Sequence, residues 1–402
     1  MGEFLKVVHF RQAEEQVKQF FPSPRSEKLG LSAALHRVLA VPVLSPEDLP
    51  FFHRSTVDGY ALDAASSYGS SESMPAYLSL RGEVKMGEAS RLALQKGECC
   101  WIPTGGMLPA GADAAVMVEY TERLGDDTVL VYRPVAPWEN VMQRGEDIRK
   151  DQVIMPAGKT LRPQDIGLLA SLGITQVQVQ SPLRVGILST GDEIIPAEAE
   201  PGPGQVRDVN SFTLAAAVRA DGGSPTNYPI IADDFSVLKE AVGQALEEND
   251  IILLSGGSSV GIMDVTLDVL LSFPGAGLLF HGVAVKPGKP TLAVSIGEKM
   301  ALGLPGHPVS ALMMYHVICS PALRTTRAGW VHAQLQVNLA SQAGRDDFIP
   351  VVLKEEEEGI VATPLLGKSG LMRILSMADG YIHIPYEKQG LEAGQYVQVH
   401  PF

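Results

Sequence analysis

Three acidic residues stand just past three predicted strand ends in the middle of this 402-residue chain. Glu193 closes the turn Ser189-Thr190-Gly191-Asp192-Glu193. Asp233 follows a strand expected over 227–231. Asp264 comes after Ser255-Gly256-Gly257-Ser258-Ser259-Val260-Gly261. Carboxylates gathered at one end of a sheet suit Mg²⁺, a hard ion that takes oxygen ligands, and Mg²⁺ suits cleavage of phosphate esters and pyrophosphates. Each acid also has a plainer reading as a helix cap: Asp264 for a helix from Val265, and Asp233-Asp234 for one from Phe235.

The loop at 256–261 could do complementary work. Its glycines let backbone amides approach a ligand, and Ser258 and Ser259 add hydroxyl donors, which together can cradle a phosphate or another oxyanion. It reads equally as a tight strand-to-helix turn. Lys286-Pro287-Gly288-Lys289-Pro290 places two ammonium groups on a stiff turn. Pro305-Gly306-His307-Pro308-Val309-Ser310 is a second stiff loop that opens a helix at a potential anion site. His307 has no partner at metal-ligand spacing. There is no Gly-x-Ser-x-Gly elbow and no phosphate-loop lysine motif, so metal-assisted displacement fits better than nucleophilic catalysis.

These loops require an α/β scaffold. Strands are expected over 183–188, 250–254 and 278–285, with a hairpin over 292–304 broken at Gly297-Glu298. Helices are expected over 211–220, 235–247, 265–271 and 308–321, giving a largely parallel sheet with its ligand loops at one end. Upstream, 9–21 has amphipathic helical spacing and 27–40 reads as a second short helix. Short strands with Gly and Pro turns over 76–135 indicate a β-rich domain, and Pro163–Leu172 a helix stopped by Gly173. The tail from 331 alternates in short strands over 334–339, 348–353, 359–364, 380–384 and 396–400, as a small barrel or sandwich does.

Length alone calls for two to four domains. Composition is that of a globular enzyme: 45% hydrophobic and 19% charged. A net charge of −14 argues against general nucleic-acid binding. No apolar run spans a bilayer and the N-terminus does not read as a secretory signal. Cys99, Cys100 and Cys319 read as small buried apolar groups, and the expected setting is cytoplasmic.

Seven stretches in order resemble the MoeA family of molybdopterin molybdenumtransferases, which includes the E domain of gephyrin. They are Ser55-Thr56-Val57-Asp58-Gly59-Tyr60-Ala61, Pro103-Thr104-Gly105, Arg144-Gly145-Glu146-Asp147-Ile148, the loops at 189–193 and 255–264, Lys286–Pro290, and Leu304-Pro305-Gly306-His307-Pro308-Val309-Ser310. The resemblance implies four parts: a discontinuous domain of 1–25 plus 149–180, an inserted β-rich domain of 26–148, an α/β domain of 181–327, and a C-terminal β-barrel of 328–402. It implies a homodimer whose site pairs Asp58, Thr104 and Asp147 of one subunit with Glu193, Asp233 and Asp264 of the other. The substrates implied are adenylylated molybdopterin and molybdate, with Mg²⁺, and the products molybdenum cofactor and AMP. Thr190, Gly191, Asp192, Ser255, Gly256, Gly257, Ser258, Ser259 and Gly261 would then hold pterin and phosphate. Lys286, Lys289, Pro305, Pro308 and Ser310 would serve the oxyanion. Where relatives often carry lysine, arginine and serine, this chain has Gly282, Pro350 and Leu371, leaving Lys286, Lys289, Ser310, Lys368, Ser369 and Arg373 as substitutes. Two other readings are a molybdopterin adenylyltransferase, which is also a possible partner, and a weakly active cofactor-binding scaffold.

Overall fold

Strand Arg184–Thr190 is buried along almost its whole length and does not alternate with polar residues. The reason is its position inside a six-stranded sheet covered on both faces. Val185 and Ile187 point into one apolar core, and Leu188 into another. Its neighbour Ile251–Gly256 divides the same way, with Ile251 and Leu253 on one side and Ile252 and Leu254 on the other. Helix Asn210–Ala220 closes the first face with Leu214, Ala215 and Val218, and helix Phe235–Glu248 the second with Leu238, Val242 and Ala245. Truncating one of these leucines to alanine removes about 2–5 kcal/mol.

The structure is a computed structural model that describes residues 7–256, 260–324, 329–357 and 359–402, and for 260–264 the backbone alone. The chain divides into two units, 1–27 with 180–402, and 28–179. In the first, strands Ser224–Asn227, Arg184–Thr190, Ile251–Gly256 and Lys299–Leu304 are parallel neighbours. The expected hairpin returns antiparallel through Leu292–Ile296, and Ala276–His281 forms the sheet edge. Helix Phe10–Phe20 adds Phe10, Ala13 and Val17 to the first core, so its apolar stripe packs on the α/β unit. The tail closes as a five-stranded barrel: Asp346–Glu356 pairs with Gly359–Pro364 and Gly380–Ile384, and Val331–Leu335 and Tyr396–Pro401 complete the ring.

The second unit is built on a six-stranded sheet in which Gly59–Leu62 lies between Glu98–Ile102 and Ala114–Met117. Its two faces again bury separate cores: Tyr60 and Leu62 enter one, Ala61 the other. Cys99 and Cys100 divide likewise, and burial pushes both thiols up to about 12, so neither is a nucleophile at neutral pH.

Several local expectations shift. Residues 27–40 do not form one helix: Ser26–Gly30 is a strand and only Leu31–Ala34 makes a helical turn. His36 then takes a φ of 64° and leaves the helical region, and Val38 and Leu39 bridge to Thr160 and Val179. The strand expected over 227–231 lies at Ser224–Asn227, and Ile231 keeps only a bridge to Thr190. Strand Ala276–His281 stops at Gly282, whose φ of 99° breaks the extended run expected to reach 285. The helix expected from Val265 begins at Val260, so Asp264 lies inside it and does not cap it.

Candidate functional site

In the second unit three of the seven stretches are stitched together. The Asp58 Oδ1 accepts the Thr104 backbone N–H at 2.8 Å. Ser55 and Gly105–Gly106 exchange backbone hydrogen bonds at 2.8 and 3.0 Å. Ser55 also pairs with Val141, Thr56 N–H donates to Asn140 C=O at 2.9 Å, and Arg144 N–H donates to His53 Nδ1 at 3.1 Å. The Arg144–Asp147 turn is anchored from below, Gly145 N–H to Pro50 C=O and Asp147 N–H to Leu49 C=O. Asp48 receives Arg144 Nε at 2.8 Å and Lys150 N–H at 2.9 Å, and the Lys150 bond foremost holds its carboxyl below the usual range. Asp58, Thr104 and Asp147 are all exposed on this assembly. Gly59 is required next to it, because a Cβ there would stand 1.9 Å from Val116 O.

In the first unit the acids sort by task. Asp234 caps helix Phe235–Glu248, accepting from Ser236 N–H at 2.8 Å and Val237 N–H at 3.1 Å. That leaves Asp233 free of capping duty. Burial raises its carboxyl above the usual value, with Asp192 and Glu193 adding repulsion and a bond from Thr190 working the other way. Its Oδ1 is buried without a hydrogen-bond partner. The Thr190–Glu193 turn is fixed alongside by Gly191 N–H to Ile231 C=O and Asp233 N–H to Asp192 Oδ1. Asp192, Glu193 and Asp233 are therefore one acidic group. Among the described residues no three His, Cys, Asp or Glu side chains form a metal cage. The Asp264 side chain lies outside the described residues, as do Gly257, Ser258 and Ser259, while the Gly261 backbone lies in helix Val260–Leu271.

Under the turn lies a buried hydroxyl network. Ser189 Oγ donates to Asp208 Oδ1 at 3.0 Å, and it stands 2.9 Å from Ser211 Oγ and 3.3 Å from Ser255 Oγ. Ser255 thus faces the interior, where it ties two strand ends together. Gly256 permits the close approach, since a Cβ would meet Thr190 Oγ1 at 2.1 Å. Asp208 and Asn210 were not singled out in the sequence, where an acid shortly before a helix reads as a cap. Asn210 Nδ2 bonds Gly306 C=O at 2.9 Å, fixing the Pro305–Pro308 loop, and its Oδ1 has no partner.

A cavity of about 1430 Å³ within the same unit gathers Lys286, Lys289, Ser310, Lys368, Ser369 and Arg345. Arg345 is neutralised by Asp347 at 2.8 Å. The three lysines have no ion-pair partner among the described residues. Val309 N–H donates to Ser369 C=O at 3.1 Å, which binds the C-terminal loop to the Pro308 helix. Pro350 and Leu371 also line the cavity; Gly282, Arg373, Pro305 and Pro308 do not.

A largely parallel sheet with an acidic group at its strand ends and a separate lysine-lined cavity defines a multidomain α/β protein with charged clusters of opposite sign. Family models place it further. The MoeA N-terminal region (domains I and II) matches 8–173, a probable molybdopterin binding domain matches 186–325, and the MoeA C-terminal region (domain IV) matches 332–402. The chain belongs to the MoeA family. It is 34% identical to a putative molybdopterin biosynthesis protein of Methanocaldococcus jannaschii, over 96% of this chain and 95% of that one. It is 30% identical to the molybdopterin molybdenumtransferase of Haemophilus influenzae, over 97% and 98%. Crystal structures of a molybdopterin biosynthesis MoeA protein from Pyrococcus horikoshii match with TM-scores of 0.86 and 0.83, at 35% and 32% identity, covering 98% and 99% of this chain and 99% and 100% of those.

Proposed function

We propose that this chain is a molybdopterin molybdenumtransferase that consumes adenylylated molybdopterin and molybdate and releases AMP and molybdenum cofactor. The observation that carries the reading is the in-order match of the MoeA N-terminal region, a probable molybdopterin binding domain and the MoeA C-terminal region across nearly the whole chain. Mg²⁺ fits the donor set. Asp233 holds an unpartnered oxygen beside Asp192 and Glu193, and Mg²⁺ typically takes only one or two carboxylates when substrate phosphates complete its shell. Glu193 and Asp233, with Asp264, would hold it, and when bound it would neutralise charge on the phosphates.

The residues act by position and charge. The Thr190–Glu193 turn and the 255–261 loop orient the pterin and its phosphates. Asp58, held by the Thr104 amide, and Asp147 present fixed carboxylates on the exposed loop assembly of the second unit. Lys286, Lys289 and Lys368 attract molybdate, the metal-bearing substrate, into a cavity of an otherwise acidic chain. A homodimer, the four-part domain partition of 1–25 plus 149–180, 26–148, 181–327 and 328–402, and a cytoplasmic setting belong to the same proposal. No helix among the described residues is long and apolar enough to cross a membrane.

The test is AMP release from adenylylated molybdopterin with Mg²⁺, with and without molybdate or tungstate. The expected result is oxyanion- and Mg²⁺-dependent release. Consumption of ATP instead would identify an adenylyltransferase, and turnover of neither substrate would identify a scaffold; both outcomes overturn the proposal.

A further inference from the structure

Trp138 sits next to the Asp58 assembly in a backbone conformation that bulky residues avoid, with φ at 65°. Asn140, two residues on, has a φ of 60°. Asn140 has a local reason, because its Nδ2 donates to Ala115 C=O at 2.9 Å. Trp138 has none in its side chain. Backbone bonds clamp it from both sides, Trp138 N–H to Asp113 C=O at 2.6 Å and Val141 N–H to Trp138 C=O at 3.2 Å, while the residue remains 39% exposed. Residues held this way persist where the surroundings over-determine them, and they cluster at ligand clamps.

The exposed ring is not isolated. It lies against His53 with ring centroids 4.9 Å apart and planes inclined by 37°. His53 is itself fixed, with Nδ1 accepting the Arg144 N–H. A clamped, partly exposed aromatic pair is suited to stacking against a planar ring.

We propose that Trp138 and His53 form a stacking platform for a planar nitrogen heterocycle of the substrate. The inference rests on adenylylated molybdopterin being the substrate, and that molecule carries two such rings, a purine and a pterin. Base–aromatic stacking contributes enough that losing it weakens binding by about tenfold.

The test uses the full-length protein with AMP, 6-hydroxymethylpterin and ribose 5-phosphate as probes, followed by calorimetry and tryptophan fluorescence. The platform requires that AMP or the pterin bind and quench fluorescence, that ribose 5-phosphate not quench, and that the quench disappear in Trp138→Phe while binding persists. Quenching by AMP alone assigns the purine, and by the pterin alone the pterin. Trp138→Gly should bind about tenfold more weakly, yet unfold at the same or a higher temperature, since glycine adopts this φ without strain. Undiminished ring binding by Trp138→Gly, or no quenching by either ring, overturns the platform. Ring binding that follows these rules without AMP release from the adenylylated substrate would leave the platform standing and overturn the proposed reaction instead.

Discussion

The Asp58 carboxylate and the Thr104 backbone N–H meet at 2.8 Å across two loops that are 46 residues apart in the chain. One oxygen of the acid is committed to holding the Pro103–Gly105 turn, and the residue remains exposed. Anchor and charge can be separated by substitution. Asp58→Asn keeps a carbonyl oxygen for the Thr104 amide but removes the charge, whereas Asp58→Ala removes both. If the charge acts in the reaction, both variants lose AMP release by about a hundredfold or more. Both should stay folded, with Asp58→Ala losing about 1–2 kcal/mol in denaturant titration. An active Asp58→Asn would reduce the residue to a loop anchor.

Gly256 tests whether the end of the α/β sheet must stay closed. A methyl group there would stand 2.1 Å from Thr190 Oγ1 and 2.3 Å from Thr190 O, and backbone cannot yield as a side-chain tip can. Gly256→Ala should cost about 1–3 kcal/mol in the unfolding midpoint. AMP release should fall further than stability explains, because the strand ends it separates carry the Thr190–Glu193 turn. A variant with native stability and native rate would contradict the close packing.

Much of this was legible in the sequence, for identifiable reasons. The buried strands at 184–190 and 251–256 and the hairpin at 292–304 were visible because apolar runs ended in glycine-rich loops. The 27–40 segment misled because Leu31, Ala34, Leu35 and Val38 have helical spacing, while His36 in the left-handed region leaves no local signal. The division of labour between Asp233 and Asp234 could not be read from adjacent identical residues; it depends on which one faces the helix amides. Nor could spacing reveal that Lys368 joins Lys286 and Lys289, since the cavity is made by a barrel loop folding back onto an α/β domain.

Asp233 gives a pH-dependent prediction. Burial foremost, then Asp192 and Glu193, raises its carboxyl above the ordinary value of 3.8. The native state therefore disfavours the ionised form relative to the unfolded chain. That penalty is absent below the unfolded value, grows as pH rises through the folded value, and is constant above it. Asp233→Asn should accordingly raise the thermal midpoint at neutral pH, with the gain shrinking towards pH 3. Millimolar Mg²⁺ should raise the midpoint of the native chain and leave that of Asp233→Asn nearly unchanged. A midpoint difference independent of pH would show that packing, not charge, is responsible.

The lysine-lined cavity makes the most specific claim about this chain. Pro350 and Leu371 line the wall and supply no charge, so Lys368 is the cation that the C-terminal loop brings in. Its loop is tied to the opposite domain by the Val309–Ser369 bond, which fixes the backbone position of the lysine against Ser310. Lys368→Ala should raise the KM for molybdate by about tenfold, the loss of one charge-assisted contact. The KM for adenylylated molybdopterin and the Mg²⁺ requirement should stay within about twofold, and Lys354→Ala, which alters a strand lysine of the barrel that does not line the cavity, should change none of them. Lys368→Arg should recover most of the molybdate affinity, because the charge is retained. If Lys368→Ala instead binds molybdate normally, then Lys286 and Lys289 hold the oxyanion without the C-terminal domain.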